Sequence, residues 1–463
     1  MNKKIAVIGL GYVGLPLASL CAVKGHQVIG FESNKSIVDL LSNGKSHIVD
    51  DTVEELLARA NKTSNLKPTV ETNELSDCSI YLICVPTPIN SNNEPDLTPL
   101  ISALDAIAPH INNNNLIVIE STVFPGTCED IVLPYIENKT GKKAGTDFQL
   151  AHCPERVSPG DEFWTTENIP RVVGATTQKG VKAAADFYVS ILGGELYDIR
   201  GIRKKMRPKV FGTDSKSGYE TSKIPLGSVT MMRSIRDAEA VKAMENTVRD
   251  VNIAFVNELA KISDVLNLDV VDVIDGMSTK PFGKGPFFPG AGVGGHCIAV
   301  DPEWLKDAAK KAGYMPEIIQ LARNTNNGMP EYAVSLLQDS LNEKSLPIKG
   351  TKIAVLGVAY KKNVDDARES PFFEIRKLLE DKGAELSIYD SWVSKENTAD
   401  TLETVLNGCK AIFIVTDHDD FIDQLKKLDI AKLGIEVVID GRNCLDSSLF
   451  TDQSVLYRGI GRR

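Results

Sequence analysis

The stretch Lys4-Ile-Ala-Val-Ile-Gly-Leu-Gly-Tyr-Val-Gly14 decides the fold of the first part of the sequence. Its first five residues form a mostly apolar, β-branched run typical of a buried strand, and the three glycines that follow have the spacing GxGxxG. Residues 15–24 then have the composition of a helix. A strand, a glycine turn and a helix in this order open a Rossmann unit, in which the helix N-terminus faces a pyrophosphate.

A second strand, Gln27-Val-Ile-Gly-Phe31, strengthens this interpretation because it ends at Glu32. An acidic residue at about this distance binds the ribose hydroxyls of a dinucleotide. A carboxylate there repels a 2'-phosphate, so the sequence favours NAD over NADP, although the cation of Lys35 lies nearby. The residues of the turn that we expect to bind NAD are Gly9, Gly11, Tyr12, Val13 and Gly14.

Further strand-like runs at residues 80–85, 116–120 and 149–153 alternate with helix-compatible segments, as in a doubly wound sheet. Ligands in such sheets bind at the carboxyl ends of the strands. Thr122 could instead cap a turn, and Glu155 could be a solvated loop charge, but their shared location favours a site. The polar loops at these ends supply five expected contacts: Pro86, Thr87 and Thr122 for NAD, and Glu155 and Arg156 for a second ligand.

The middle of the chain begins with a basic and then Ser/Gly-rich stretch, residues 200–234, which we interpret as a flexible insertion. From Arg236 to about Leu266 the apolar spacing predicts one long helix. Lys242 and Asn246 lie one turn apart on it and therefore share a face. We expect this helix to connect domains and to bury a homodimer interface along its apolar stripe, which comprises Val241, Met244, Val248, Val251, Phe255, Leu259, Ile262 and Leu266.

Residues 282–302 contain so many glycines and prolines that they predict a shaped loop. Cys297 offers this loop a nucleophile, and Asp301 offers it a carboxylate four residues later. The alternative is a buried structural cysteine in a glycine-rich turn. Phe287 and Phe288 precede the glycines and are expected to give apolar cover to a ligand, while Gly292 and Gly295 would let backbone amides approach it.

The last third repeats the strand-to-glycine opening at Thr351-Lys-Ile-Ala-Val-Leu-Gly357 but lacks the full GxGxxG spacing. A helix over 371–383 and strands at 385–389, 411–415 and 437–440 complete a second α/β unit. Lys361 and Arg442 follow its first and last predicted strands, where a nucleotide phosphate could bind. Residues 343–349 read as a linker.

The predicted fold class is therefore α/β, with two Rossmann-like doubly wound domains joined by a long central helix in a helical domain. We assign residues 1–200 to an NAD-binding domain, 201–330 to the insertion and the central helical domain with the cysteine loop, and 331–463 to a second nucleotide-binding domain. Such a length is too great for one hydrophobic core. Two nucleotide-like ligands are expected to meet at a central site.

Composition excludes several functional classes. The formal net charge of -10 argues against a general binder of nucleic acid or of membrane surfaces. The eight cysteines are scattered without CxxC pairs, which argues against a disulfide framework or a zinc site, so no metal is expected. The start of the chain lacks a signal-peptide pattern, and we expect a cytoplasmic location.

Taken together, the motifs closely resemble the UDP-glucose/GDP-mannose dehydrogenase family, and within it the UDP-N-acetylhexosamine 6-dehydrogenases. They occur in the family's order over almost the whole chain. The segments that carry the resemblance are 9–14, 85–88, 121–122, 153–157, 240–254, 292–302 and 359–371.

This resemblance implies a four-electron oxidation of the C6 alcohol of a UDP-N-acetylhexosamine, with UDP-N-acetyl-D-mannosamine as the first candidate, by two NAD molecules. The product would serve the synthesis of a surface polysaccharide or another glycan precursor. Cys297 would form a thiohemiacetal and then a thioester. The resemblance also implies roles for five further residues. Lys242 and Asn246 would stabilise the oxyanion, Asp301 would be the partner of Lys242, and Glu155 and Thr122 would position the hydrolytic water. Lys361 and Arg442 would contact UDP.

Two departures from the family pattern are visible: the long segment 200–234, and Asn327 where the family commonly has an aspartate. Several functions stay open. UDP-GlcNAc, UDP-GalNAc or UDP-glucose could be the substrate. A two-electron dehydrogenase of hydroxy acids would need no cysteine, and a regulatory protein could bind both ligands without turnover. Assembly beyond a dimer is not predicted.

Overall fold

The computed structural model describes residues 3–88, 95–157, 163–199, 225–280, 287–295, 297–450 and 454–462. The chain divides into two compact units. The first comprises Met1–Glu245 and Glu303–Lys311, and the second comprises Asn246–Pro302 and Ala312–Arg463.

One sheet organises the first unit, and its strands follow the apolar runs of the sequence. They are β1 (Lys4–Ile8), β2 (Gln27–Phe31), β3 (Leu66–Thr69), β4 (Ile80–Ile83), β5 (Asn115–Ile119), β6 (Phe148–His152), β7 (Arg171–Ala175), β8 (Leu196–Asp198) and β9 (Val229–Met231). Their order in the sheet is β3-β2-β1-β4-β5-β6-β7-β9-β8. β1 to β6 pair in parallel, and β7 runs antiparallel to β6.

Helices cover both faces of this sheet, which makes it doubly wound. They are α1 (Gly14–Val23), α2 (Lys35–Ser42), α3 (Asp51–Thr63), α4 (Thr98–Ile107), α5 (Leu133–Thr140) and α6 (Gln178–Leu192). One core contains residues of α1, α3 and α6, and a second core on the opposite face contains residues of α4 and α5. The strand order reverses between β1 and β4, so the carboxyl ends of these two strands form the switch point where such sheets bind ligands.

A long helix, α7 (Ile235–Leu266), contributes residues to both units, as the sequence predicted. It is followed by α8 (Val270–Ser278), α9 (Asp301–Lys311), α10 (Glu317–Asn327) and α11 (Met329–Glu343). Among the described residues, no helix combines the length and the apolar composition that a bilayer crossing requires.

The second unit has a smaller, all-parallel sheet in the order β11-β10-β12-β13-β14. Its strands are β10 (Lys352–Leu356), β11 (Glu385–Tyr389), β12 (Ala411–Ile414), β13 (Val437–Asp440) and β14 (Leu456–Gly459), and its further helices are α12 (Pro371–Asp381), α13 (Leu402–Leu406) and α14 (Asp419–Leu425). Here too a core lies on each face, α11 and α12 packing on one and α13 and α14 on the other.

Short helical turns complete the structure. They lie at Thr72–Leu75, Ala108–His110, Cys128–Val132, Ser394–Glu396, Ala431–Leu433 and Ser447–Phe450. Several of the longer helices begin at a polar residue whose side chain accepts a backbone N–H of the first turn. These N-caps are Asn34 for α2, Asp50 for α3, Thr177 for α6 and Ser370 for α12.

One expectation from the sequence needs correction. Residues 200–224 lie outside the described part, but Val229–Met231, which we assigned to the flexible insertion, is a strand. It pairs in parallel with both β7 and β8, and Val229 is fully buried. The Ser/Gly-rich residues before it concealed this short β-branched run.

The apolar stripe of α7, which we predicted to form a homodimer interface, is not packed within the chain: Met244, Val248, Phe255 and Ile262 are all exposed. Apart from Ile235 and Val256, the buried positions of the same helix are small or polar: Ala238, Glu239, Ala243, Asn246, Thr247, Asp250, Ala254, Asn257, Ala260, Ser263 and Asp264. The helix therefore directs its polar side chains into the protein, where each must find a hydrogen-bond partner.

Candidate active site

The glycine turn after β1 has the geometry that a dinucleotide requires. A Cβ on Gly14 would lie 1.8 Å from the carbonyl oxygen of Gly9, and one on Gly9 would lie 2.7 Å from that of Cys84. Gly9 also has a positive φ of 88°. Nothing lies within 4 Å of the corresponding position on Gly11, so the outer side of the turn is open. Gly9 and Gly14 thus permit the tight turn, and Gly11 leaves space for a ligand to approach the protein backbone.

Glu32 lies directly beside this turn. Its Oε2 accepts the backbone N–H of Leu10 at 3.0 Å, and its Oε1 accepts the N–H of Asn34 at 3.0 Å. The side chain is partly exposed. The carboxylate is therefore positioned at the carboxyl end of β2, as the sequence predicted for a ribose contact.

The ends of β4 and β5 are joined by hydroxyl side chains. The Thr87 hydroxyl donates to the carbonyl of Thr122 at 2.7 Å, and the Ser121 hydroxyl donates to that of Val85 at 2.7 Å. Thr87 is buried, Thr122 is half-buried and Pro86 is exposed. The structure thus brings together the residues that we expected at this edge of the sheet.

Glu155, at the end of β6, belongs to a buried charge cluster that the sequence did not reveal. Its Oε1 accepts the N–H groups of Arg156 at 2.6 Å and Val157 at 2.8 Å, and its Oε2 lies 2.8 Å from Nη2 of Arg171. Nη1 of Arg171 donates to Oε2 of Glu120 at 3.1 Å. The Tyr188 hydroxyl donates to the other oxygen of Glu120. Glu155 is therefore a buried, oriented carboxylate and not a solvated loop charge.

Burial dominates the electrostatics of this cluster. It raises the pKa of Glu120 to about 7, although the Arg171 charge and the Tyr188 hydrogen bond act in the opposite direction. Burial also lowers the pKa of His152, on the neighbouring strand end, to about 3. At neutral pH His152 is therefore uncharged.

Two acidic residues of α7 tie the strand-end loops to this helix. Glu239 accepts the N–H of Gly126 at 2.6 Å and that of Cys128 at 2.7 Å, and burial raises its pKa. Glu245 forms a two-point ion pair with Arg156, in which Nε lies 3.1 Å from Oε2. Lys242 lies between these two acids on α7 and is half-buried.

Asn246, Asp301 and Cys297 come together in the second unit. The Asn246 side-chain amide donates to Oδ2 of Asp301 at 2.6 Å, and both residues are buried. The backbone N–H of Asp301 donates to the carbonyl of Cys297 at 2.9 Å, so the cysteine lies in the turn that leads into α9. Cys297 is exposed, while Cys21, Cys78, Cys84, Cys128, Cys153 and Cys409 are buried. Because Cys297 is exposed, the alternative interpretation of a buried structural cysteine is wrong.

The glycines before Cys297 pack on protein. A Cβ on Gly294 would lie 2.7 Å from the carbonyl of Glu369, and Gly295 has a φ of 90° with its Cα against the ring of Tyr360. The N–H of Gly295 donates to the carbonyl of Arg368 at 3.2 Å. The pKa of Tyr360 is raised to about 12, first by burial and then by the charges of Asp366 and Cys297. These glycines are therefore required for close packing of the loop, which the sequence had connected only with a ligand.

A buried polar chain anchors the start of the same loop. Asn257 accepts the N–H of Gly290 at 3.0 Å and donates to Asn326 at 2.9 Å. Asn326 donates in turn to Asp250, which also accepts from Arg323 at 2.7 Å. These partners explain why α7 has polar residues on its buried face. None was identified from the sequence, because an asparagine inside a helix does not indicate its partner.

Arg442 lies beneath this loop. Its Nε donates to the carbonyl of Val415 at 2.9 Å and its Nη2 to that of Tyr360 at 3.4 Å. A Cβ on Gly290 would lie 3.0 Å from its Nη1. Lys361 follows Tyr360 directly and is half-buried. The two predicted UDP contacts therefore follow β10 and β13, two strands of the second sheet that are separated by β12.

The remaining residues that were singled out from the sequence lie near the cysteine loop in sequence or in α10. Phe288 is exposed, Phe287 is half-buried, and Gly292 is packed against Pro371. Asn327 accepts from Arg323 at 2.6 Å, so its amide oxygen makes a hydrogen bond that an aspartate could also accept. Residues 281–286 and 296, which include part of the predicted loop, lie outside the described residues.

Comparison with known families gives matches in three consecutive segments. Residues 3–192 match the NAD binding domain of the UDP-glucose/GDP-mannose dehydrogenase family, 236–328 its central domain, and 354–447 its UDP binding domain.

Individual relatives match over nearly the whole chain. The UDP-N-acetyl-D-mannosamine dehydrogenase of Pyrococcus horikoshii is 33% identical, with 99% of both chains covered. The UDP-N-acetyl-D-glucosamine 6-dehydrogenase of Salmonella typhi is 34% identical, with 93% of both chains covered. A solved structure of the Pyrococcus horikoshii UDP-D-ManNAc dehydrogenase superposes with a TM-score of 0.85, and again 99% of both chains is covered.

Proposed function

The chain belongs to the UDP-glucose/GDP-mannose dehydrogenase family, and from this premise we propose that it oxidises the C6 alcohol of a UDP-N-acetylhexosamine to the carboxylate. It is an NAD-dependent UDP-sugar dehydrogenase. The observation that carries the finer proposal is the exposed Cys297, whose carbonyl is bound by the backbone of Asp301, itself held by Asn246.

Our proposed sugar is UDP-N-acetyl-D-mannosamine. Relatives with that name match this chain over almost its full length, but one with the glucosamine name is equally similar. A C2 epimer is distinguished by pocket shape and by one or two hydrogen bonds, so the identity of the family does not fix it. We further propose that the uronate serves as a precursor of a surface polysaccharide or another glycan.

The dinucleotide fits the first unit at the open side of Gly11 and at Glu32. When bound, NAD accepts a hydride in each of the two oxidation steps. Tyr12, Val13, Pro86, Thr87 and Thr122 complete the proposed contacts. The exposed or half-buried side chains among them lie at the strand ends described above.

Cys297 is the proposed nucleophile. After the first oxidation, its sulfur adds to the sugar aldehyde and gives a thiohemiacetal; the second oxidation gives a thioester. Water then adds to the thioester carbon, the C–S bond breaks, and the products are the carboxylate and the free thiol. A cysteine suits this sequence because its thiolate is both a good nucleophile and a good leaving group.

Polar residues would stabilise the charges that develop in these steps. Lys242 provides a cation, and the Asn246 amide provides a donor, for the oxygen that becomes an alkoxide or oxyanion. Asp301 keeps Asn246 oriented through their 2.6 Å hydrogen bond. Glu155 is the proposed base for the hydrolytic water, and Thr122 helps to position that water. Arg156, Phe287, Phe288, Gly292, Gly295, Lys361 and Arg442 are the remaining proposed substrate contacts.

We propose a homodimer formed through α7. Val248, Phe255 and Ile262 recur along one exposed face of this helix, and Phe255 is 57% exposed. A continuous exposed apolar stripe of this kind marks a protein interface. Phe255→Glu should convert a dimer to a monomer in light scattering; a wild-type monomer would refute the proposal.

A panel of UDP-sugars tests the function. Purified protein with NAD is offered UDP-N-acetyl-D-mannosamine, UDP-GlcNAc, UDP-GalNAc and UDP-glucose, and NADH and the uronate are measured. We expect the highest kcat/KM with UDP-N-acetyl-D-mannosamine. A higher value with another sugar changes only the substrate assignment, whereas an aldehyde as final product would overturn the four-electron reaction.

A further inference from the structure

We propose that Glu120 is a positioning residue that acts through Arg171 to make Glu155 a stronger base toward the hydrolytic water. This inference rests on the proposed role of Glu155 and concerns contacts within the first unit alone. Neither Glu120 nor Arg171 is among the residues to which the sequence assigned a role.

The geometry places a single cation between two carboxylates. Arg171 Nη2 lies 2.8 Å from Glu155, and Nη1 lies 3.1 Å from Glu120. The side chains of Arg171 and Glu120 have no exposed surface, and that of Glu155 is 10% exposed. In so dry a cluster neither water nor salt screens the charges, so a change in charge on one carboxylate is felt by the other.

Charge balance gives the direction of the effect. When Glu120 is neutral, Arg171 and Glu155 form a balanced ion pair. When Glu120 is ionised, the cluster carries one excess negative charge, and Arg171 neutralises Glu155 less completely. A carboxylate that is less neutralised by its partner is a stronger base and accelerates the attack of water on the thioester.

The ionisation of Glu120 falls in the useful pH range, because burial raises its pKa to about 7. The other groups that face it are Tyr188 from α6, Cys21 from α1, Cys84 after β4 and Cys153 after β6. Burial raises the pKa of each of these four groups, so they remain neutral while Glu120 titrates. Arg171 stays charged, since its two carboxylate neighbours raise its pKa against the effect of burial.

Tyr188 provides a second, independent influence on the pKa of Glu120. Its hydroxyl donates to Glu120, and this hydrogen bond lowers the pKa of the carboxyl group. Without the hydroxyl, Glu120 would ionise at higher pH. Glu120 and Tyr188 therefore predict two different changes in the same pH profile.

The test measures thioester hydrolysis directly. Full-length enzyme is mixed with excess NAD and one equivalent of the UDP-sugar that gives the highest turnover in the panel. The reaction is quenched with acid at successive times, and the decay of the covalent adduct on Cys297 is followed by intact-protein mass spectrometry from pH 5.5 to 9.

Glu120→Gln keeps the shape of the side chain but fixes it in an uncharged form. We expect adduct decay about tenfold slower than in wild type at pH 8, because the neutral amide leaves Arg171 paired with Glu155 alone, and within about twofold of wild type at pH 5.5. Tyr188→Phe should move the rise in the decay rate to higher pH and rejoin the wild-type rate at pH 9.

Two surface substitutions serve as matched controls. Glu167→Gln alters a half-buried arginine–glutamate pair with Arg59, and Tyr135→Phe removes an exposed hydroxyl–carboxylate bond to Asp105. Neither should change the profile. A purely structural Glu120 would slow decay by the same factor at every pH, and that result would overturn the inference.

Other outcomes are equally decisive. If Glu120→Gln does not fold, an unshifted Tyr188→Phe profile overturns the inference by itself. If wild type forms two NADH per sugar and both variants match its profile, the inference fails while the proposed function stands. If wild type never forms an adduct on Cys297, the proposed function fails first.

Discussion

In each of the two sheets, a strand leads into a similar glycine turn, but the surroundings of the two turns differ. In the first, the N–H of Gly9 donates to the carbonyl of Phe31 at 2.8 Å, and Glu32 accepts the N–H of the next residue, Leu10. In the second, the N–H of Gly357 donates to the carbonyl of Tyr389 at 2.9 Å, and Asp390 accepts the N–H of the next residue, Val358. In both sheets, therefore, an acidic residue directly after the neighbouring strand, β2 or β11, holds the glycine turn in place.

The surroundings of the two acids differ. Glu32 is partly exposed and also accepts from its neighbours Ser33 and Asn34. Asp390 is fully buried and bound to His418, whose Nε2 lies 3.0 Å away. In the first sheet a helix starts at Gly14, immediately after the turn, whereas in the second the next helix starts only at Pro371.

We infer from this difference that the turn alone does not make a dinucleotide site. It becomes one where the acid faces outward and a helix N-terminus follows at once. Where a histidine and backbone donors saturate the acid, the turn is structural. NAD binding should therefore depend on the first turn, and local stability on the second.

The largest effect is expected at Asp390. Asp390→Asn removes the charge from a buried carboxylate that accepts four backbone N–H groups as well as His418. Loss of one partner from such a buried pair costs about 3–5 kcal/mol. Hydrogen exchange of the β10 and β11 amides should accelerate accordingly, while exchange in β1 and β2 should not change.

The same substitution has a defined pH dependence. Burial alone would raise the pKa of Asp390, but His418 and the backbone donors lower it well below its usual range. Its stabilisation is therefore present above the unfolded pKa of about 3.9 and is lost as the pH falls below that value. The difference between wild type and variant should shrink below about pH 4; a difference that does not depend on pH would contradict an ionised Asp390.

An intermediate effect is expected at Glu32, in NAD binding rather than in stability. Glu32→Ala removes a charged acceptor for the ribose hydroxyls, and such hydrogen bonds contribute about 1.5–3 kcal/mol. NAD affinity measured by calorimetry should fall by about 10- to 100-fold. UDP affinity is the internal control, and an equal loss of both ligands would instead indicate general unfolding.

A smaller effect is expected at Gly11. A Cβ at this open position would meet no protein atom within 4 Å, so a leucine side chain can start outward and Gly11→Leu should fold normally. The side chain would nevertheless occupy the open side of the turn, and NAD affinity should fall about tenfold, or 1.4 kcal/mol. Gly276→Leu, at an equally open glycine on α8, should leave NAD affinity unchanged. Unchanged NAD binding in the Gly11 variant would place the pyrophosphate elsewhere.

The sequence was most informative where a pattern is local. The GxGxxG turn predicted β1, α1 and β2 together, and the loop around Cys297 was recognised from its own composition. Both features require particular residues at short spacing, because a tight backbone turn and a nucleophile have few substitutes.

Longer-range features escaped prediction for physical reasons. Helical periodicity shows which residues of α7 share a face, but not whether that face is packed by the same chain, and the apolar stripe proved to be the exposed one. Arg171 lies inside an apolar strand, and its charge partners are distant in sequence. Asp390, directly after a strand, has the same sequence signature as a solvated turn residue.

The proposed mechanism depends most on Cys297, and one measurement tests it directly. NADH formed per UDP-sugar consumed is determined for wild type and for Cys297→Ser under identical conditions. We predict two NADH per sugar for wild type, and loss of uronate formation in the variant because no thioester can form. Full turnover by the serine variant, or a single NADH per sugar in wild type, would contradict the covalent four-electron mechanism.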